Sequence, residues 1–238
     1  MPATTLTVQR AAERFHTDAG WLDSWHNFNF GQHYHPGHQG HGVLLVNNDD
    51  IVAPGQGFGT HGHRDMEIVT WVLSGRLEHR DSEGNHGVLY PGLAQRMSAG
   101  TGIRHSEMNA SATEPVHFVQ MWVWPDTTGV APGYEQRDLN DRLALGGLVP
   151  IASGQGHDGA VTIHQRGAVL WGGRLAPGVT VNVPDAPHVH LFVALGSGDL
   201  TQVGPLGTAD SVRLAEAGAA HEFTASQEGA ELLLWATD

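Results

Sequence analysis

The chain has 238 residues and a mass of 25.4 kDa, room for one large all-β domain or two of ordinary size. Its 32 glycines, 12 prolines and 16% charged residues exclude a long helical bundle, which needs Glu, Lys and Arg in quantity. The net charge of −13, with arginine as the only strong cation, disfavours direct nonspecific binding to nucleic acid and docking on anionic membranes, and the absence of cysteine excludes thiolate metal sites, disulfides and Cys nucleophiles. No apolar run reaches 18 residues and the first thirty residues lack a secretory apolar core, so the chain reads as soluble and cytoplasmic.

In chain order, residues 1–48 read as irregular and rich in aromatics and histidine. From Val52 onward strands and turns alternate. EIVTWVLSG (Glu67–Gly75) is a β-branched and aromatic run ending in Ser-Gly, and RLEHRD (Arg76–Asp81) follows directly, so the pair is predicted as a hairpin. A turn at Ser82–Asn85, a short strand GVLY and a Pro91-Gly92 turn come next. IRHSEMN follows Gly100–Gly102, and VHFVQMWVW (Val116–Trp124) is a strong strand stopped by Pro125. YEQRDLNDRL (Tyr134–Leu143) is the one convincing helical stretch. Strands then resume to the C-terminus, among them AVLWGGRL, HVHLFVALG and ELLLWATD. Both halves carry an HxH phrase running into an apolar strand that ends at glycine, His61 to Gly75 and His188 to Gly196, which points to an internal duplication.

Seventeen histidines make this residue the outlier, and histidine is the commonest metal ligand. His61 and His63 stand two apart at the entrance to a strand, so they share a face. His105 and Glu107 stand two apart on another strand. Two adjacent strands of this kind can offer three imidazoles and one carboxylate to one point, a donor set that suits a divalent transition metal with open positions. The lack of cysteine favours iron, manganese, nickel, copper or cobalt over a structural zinc.

The glycine frameworks around these residues are specific. Gly55, His61, His63, Glu67 and Gly75, then Gly100, Gly102, His105 and Asn109, resemble the two cupin motifs GxxxxxHxH…E…G and PxGxxHxxxN, with Gly100 where proline usually stands. THGHRDMEIVTWVLSGRLEHRDSEGNHGVLYPG followed by RMSAGTGIRHSEMN resembles the pirin family of bicupins. The resemblance is most specific over residues 55–125 and extends back to WLDSWHNFNF. It implies an all-β fold of two cupin (jelly-roll β-barrel) domains forming a bicupin. Residues 1–130 would be the N-terminal metal-binding cupin, and residues 131–238 a C-terminal cupin without metal. The first-motif Glu of ordinary cupins sits four residues after the second His. Here Ile68 has that place, and a one-residue shift turns Glu67 to the opposite face, although a bulge can undo this parity. The pirin pattern implies the ligands His61, His63, His105 and Glu107.

Other histidine-rich features read more plainly. HYHPGHQGH (His33–His41) has no regular one-face spacing and reads as a solvated loop near the site entrance. His188 and His190 stand where a second cupin carries its HxH, but His221 and Glu222 are adjacent and would face opposite ways on a strand. Trp71, Trp122 and Trp124 are strand aromatics, expected in the core unless one lines a flat-ligand pocket. His79, His86 and His117 have no assigned role.

Cupin folds host unrelated chemistries, so activity rests on the site and the resemblance. The resemblance implies an oxidoreductase like quercetin 2,3-dioxygenase. A flavonol-type aromatic substrate and O2 would react at one divalent metal, iron first and manganese, nickel, copper, cobalt or zinc as alternatives. Glu107 would be both ligand and catalytic base. The second reading is a non-enzymatic metal and redox sensor that binds a regulatory protein partner. An aromatic-sized apolar cavity beside the ion separates the first from the second.

Overall fold

The computed structural model describes residues 5–217 and 221–238, and it is an all-β bicupin built from three antiparallel-rich sheets. The first half is a barrel with two walls. Its seven-stranded wall runs, in spatial order, Gly133–Asp138, Leu93–Ser98, Glu67–Ser74, Val116–Val123, Leu44–Val52, Leu22–His26 and Phe15–Asp18. Its four-stranded wall runs Gly57–His63, Ile103–Asn109, Leu77–Asp81 and His86–Leu89. A nine-stranded sheet forms the second half. Its longest strands, Ala186–Leu200 and Glu222–Thr237, pair with register shifts at 193/195 and 196/198. Such bulges bend a long ribbon, so one sheet can wrap its own core of Val189, Leu191, Leu214, Phe223, Leu232 and Leu234. The halves also exchange strands: Thr5–Gln9 pairs with Ser211–Ala217, and Gly133–Asp138 pairs with Leu93–Ser98. Among the described residues no helix is long and apolar enough to cross a membrane.

Strand Glu67–Ser74 shows why the halves stay together. It is buried on both faces, which is why it reads as a nearly continuous apolar run. Val69, Trp71 and Leu73 face the second half and join a core with Phe192, Leu233 and Trp235. Ile68 and Val72 face the interior of the first barrel. Trp71 is 1% exposed and its indole N–H donates to Glu231 Oε1 at 2.7 Å across the interface. Each large apolar side chain buried there contributes about 1.5–3 kcal/mol, so the interface sets the relative position of the halves.

Three local expectations are corrected. Glu67–Gly75 and Arg76–Asp81 do not form a hairpin: the first strand lies in the seven-stranded wall and Leu77–Asp81 in the four-stranded wall. The chain turns a corner at Gly75, with φ +78°, where a Cβ would stand 2.6 Å from the Pro115 carbonyl oxygen. Tyr134–Leu143 is not one helix. Gly133–Asp138 is an edge strand and only Asn140–Leu143 is helical, because hydrogen bonding to Leu93–Ser98 outweighs local helix propensity. The first 48 residues are not irregular either, since they contribute Phe15–Asp18, Leu22–His26 and the start of Leu44–Val52 to the seven-stranded wall. The last of these strands hid because it buries Asn47, Asn48, Asp49 and Asp50 where an interior strand is normally apolar.

Candidate metal centre

The four-stranded wall gathers the histidines. Gly57–His63 is its edge strand, and His61 and His63 project to one face. The neighbouring strand sets His105 directly opposite His61, a position that brings side chains into contact. One ring nitrogen from each of His61, His63 and His105 lies within 4.8 Å of the others. Glu107 follows on the same strand after a register shift that pairs it with Phe58 and, on its other side, with His79. Its carboxylate forms a second group within 4.8 Å, with His79 and His105. The four residues singled out in the sequence therefore converge as two overlapping triads that share His105. His79, which had no role in the sequence reading, is the addition.

The hydrogen bonds leave ligand atoms bare. His61 Nδ1 donates to the Gly59 carbonyl at 2.8 Å, so its Nε2 keeps a free lone pair. His105 Nδ1 lies 3.4 Å from His79 Nδ1, and His79 Nε2 lies 3.3 Å from Asp81 Oδ2. The carboxylate can only accept, so His79 Nε2 donates to Asp81, and its Nδ1 is the acceptor that both Gln95 Nε2, at 3.3 Å, and His105 Nδ1 approach. His79 thus backs the His105 ring, as the outer partners of metal-bound histidines do. Among the described residues, His63 Nε2 and His105 Nε2 are buried nitrogens with no hydrogen-bond partner, which is costly unless something is to be bound there. Burial, aided by neighbouring His61, lowers the His63 pKa to about 4, and burial with the surrounding histidines lowers that of His105 to about 2. Both rings stay neutral, the form that ligates metal. The residues thus fit a divalent transition metal bound by nitrogen and oxygen.

Glu107 is buried, and its two carboxylate oxygens share the Gln120 Nε2 donor, at 3.0 Å for Oε1 and 2.8 Å for Oε2. Burial pushes its carboxyl up to about 7 against these bonds. Gln120 comes from the facing seven-stranded wall, so the bond also spans the barrel. Between the walls lies a cavity of about 640 Å³, lined by His61, His63 and Glu107 and by Trp21, Leu22, Phe30, Phe58 and Trp122. The ring of Trp122 stands edge-on to His63 at 4.9 Å. Ser24, His26, Asn48 and Asp50 add a polar stretch on the seven-stranded wall.

The remaining predicted residues go elsewhere. Glu67 faces the second half, where it accepts from Ser98 Oγ at 2.8 Å and meets His164 Nδ1 at 3.2 Å. The Gly100–Gly102 turn depends on Gly100, with φ +45°, whose backbone packs on the Val130 carbonyl. The His33–His41 loop is tied down at three histidines: His33 bonds Thr17, His38 the Asn27 carbonyl and His41 the Leu214 carbonyl. Trp122 lines the cavity, Trp71 lies in the core and Trp124 is exposed. Among the described residues, His188, His190, His221 and Glu222 belong to no metal-sized cluster. Sequence reasoning missed His79, Gln120 and Asp50; the one local signal was a period of two linking Leu77, His79 and Asp81.

Comparison with known proteins shows what the chain is similar to. A family model described as Pirin matches residues 7–123. A Mycobacterium tuberculosis protein named "Putative quercetin 2,3-dioxygenase" is 57% identical over 232 residues, 97% of this chain and 94% of that one. Quercetin 2,3-dioxygenase of Escherichia coli is 49% identical over 160 residues, 67% of this chain and 68% of that one. The crystal structure of the bacterial pirin YhhW from Escherichia coli in complex with nickel(II) superposes with a TM-score of 0.89 at 38% identity, covering 98% of this chain and 99% of that one.

Proposed function

This chain belongs to the pirin family, and on that premise we propose that it is a metal-dependent dioxygenase that opens the heterocycle of a flavonol with O2. His61, His63, His105 and Glu107 hold one divalent transition metal. The observation that carries the reading is the meeting of bare imidazole nitrogens with a cavity of about 640 Å³ walled by aromatic side chains. A cavity of that size encloses a flat aromatic ligand. It also supports this reading over a sensor, which would act through an exposed surface. The names of the relatives support the flavonol as substrate class, and the nickel(II) in the YhhW structure supports a transition metal.

When bound, the ion supplies Lewis acidity and redox activity beside the cavity. The protein supplies position and proton transfer. Trp122 and Phe58 flank the flat ring system and shield its faces from water. Glu107 Oε takes the proton of the flavonol 3-hydroxyl. Gln120 Nε2 keeps that carboxylate oriented by bridging its two oxygens. In the net reaction the flavonol and one O2 give the ring-opened ester acid and carbon monoxide.

The test is oxygen uptake with quercetin after anaerobic reconstitution with Fe(II), Ni(II), Mn(II), Co(II) or Cu(II), the metal-free protein serving as control. Metal-dependent uptake matched by loss of flavonol absorbance is expected, and it identifies the working ion among iron, the first expectation, nickel and the others. Stoichiometric metal with no oxygen consumed overturns the reading.

A further inference from the structure

The two walls of the cavity differ in chemistry. The four-stranded wall carries the metal-binding set. The facing wall carries Ser24, His26, Asn48 and Asp50 in cross-strand register, Ser24 opposite Asp50 and His26 opposite Asn48. His26 and Asn48 satisfy each other: His26 Nδ1 donates to Asn48 Oδ1 at 2.8 Å, and His26 Nε2 bonds Thr17 Oγ1 at 3.0 Å.

Asp50 is different. It is 3% exposed, and its hydrogen-bond partner is Ser24 Oγ, which donates to Oδ1. Among the described residues no cation pairs with Asp50 and no donor reaches Oδ2. The nearby cation Arg14 is committed to Asp49 at 3.0 Å. Burial pushes the Asp50 carboxyl up to about 7 against the Ser24 bond, with the charges of Asp49, Glu107 and Asp23 acting in the same direction as burial. A buried carboxyl lacking an ion partner is destabilising, and a perturbed one at a cavity wall marks a candidate functional group. The aromatic walls of the same cavity favour a flat ligand.

We propose that Asp50 is a second anchor for the ligand: its Oδ2 accepts a phenolic hydroxyl carried on the ring system away from the metal-bound end, so the site selects polyhydroxylated flavonols over a flavonol bearing the 3-hydroxyl alone. The inference rests on the flavonol reading above and adds the feature of the substrate that is recognised. A site built to bond a ligand hydroxyl rejects the analogue that lacks it, because the buried group is left unpaired.

The experiment is anaerobic binding of quercetin and of 3-hydroxyflavone to metal-loaded wild type, Asp50→Leu and Asp50→Asn, followed by flavonol absorbance, with metal content measured on each protein. Asp50→Leu is expected to weaken quercetin about tenfold to a hundredfold, the range for a hydrogen bond to a charged group. It should leave 3-hydroxyflavone and metal stoichiometry unchanged. Asp50→Asn keeps the shape and an acceptor oxygen, gives a smaller loss of the same selectivity, and carries the test if the leucine variant does not fold. Equal weakening of both ligands, or no weakening of either, overturns the anchor while the flavonol reading stands. If wild type binds neither flavonol, the flavonol reading falls and the anchor falls with it.

Discussion

The molecule contains the phrase His-x-His twice, and the two copies have different fates. His61 and His63 sit on the edge strand of the four-stranded wall, facing a cavity, with His105 directly opposite His61. His188 and His190 sit inside the long strand Ala186–Leu200, flanked by a strand on each side. The cross-strand neighbours of His188 are Ala215 and Thr237, and those of His190 are Arg213 and Trp235. None of these is an imidazole or a carboxylate. The second pair is packed instead, His190 against Phe28 at 5.3 Å and His188 against His41 at 5.0 Å. A pair of histidines on one face becomes a candidate ligand set through what the adjacent strand places opposite it and through the open space in front of it.

The largest expected difference between the pairs is in metal affinity. His63→Ala should weaken metal binding by more than about a hundredfold, the upper range for losing even an outer-shell partner. His188→Ala should leave it unchanged, as measured by metal analysis after equilibrium dialysis. His79→Ala should fall between them, about tenfold to a hundredfold weaker, because it frees the His105 ring to turn. Metal loss in His188→Ala would erase the distinction.

Acid stability sharpens the comparison from the other side. Among the described residues, buried His190 has no hydrogen-bond partner on either nitrogen, and burial, with His41 and Arg213 nearby, lowers its pKa from 6.5 to about 3. The folded value lies below the unfolded one. Its neutral form therefore supports the fold fully above pH 6.5, and that support is lost as pH falls from 6.5 toward 3, at about 1.4 kcal/mol for each unit of separation. Urea denaturation of the metal-free protein across this range should show a shallower acid loss for His190→Leu than for wild type. Coincident slopes would mean that His190 is not the buried titrating group.

The smallest effect is expected at Glu67. Glu67→Gln keeps an acceptor for Ser98 and lies on the face turned away from the cavity. Metal content should stay constant, and stability should change by about 1 kcal/mol or less. A drop in metal content would show that this carboxylate takes part in the site.

The sequence by itself determined the features that depend on local backbone geometry. A strand sends alternate side chains to opposite faces, so the shared faces of His61 with His63 and of His105 with Glu107 were legible, as was the reversal at Glu67. The absence of cysteine limited the donor set to nitrogen and oxygen, and short β-branched runs between turns indicated an all-β fold. Only the tertiary structure decided which strands are neighbours and which walls face each other. It split Glu67–Gly75 and Arg76–Asp81 between two sheets, drew Gly133–Asp138 into a strand, brought Gln120 and Asp50 to the cavity and set His79 behind His105. The physical reason is range: parity is set within two residues, whereas pairing is set by closing a barrel around apolar faces contributed by segments far apart in the chain.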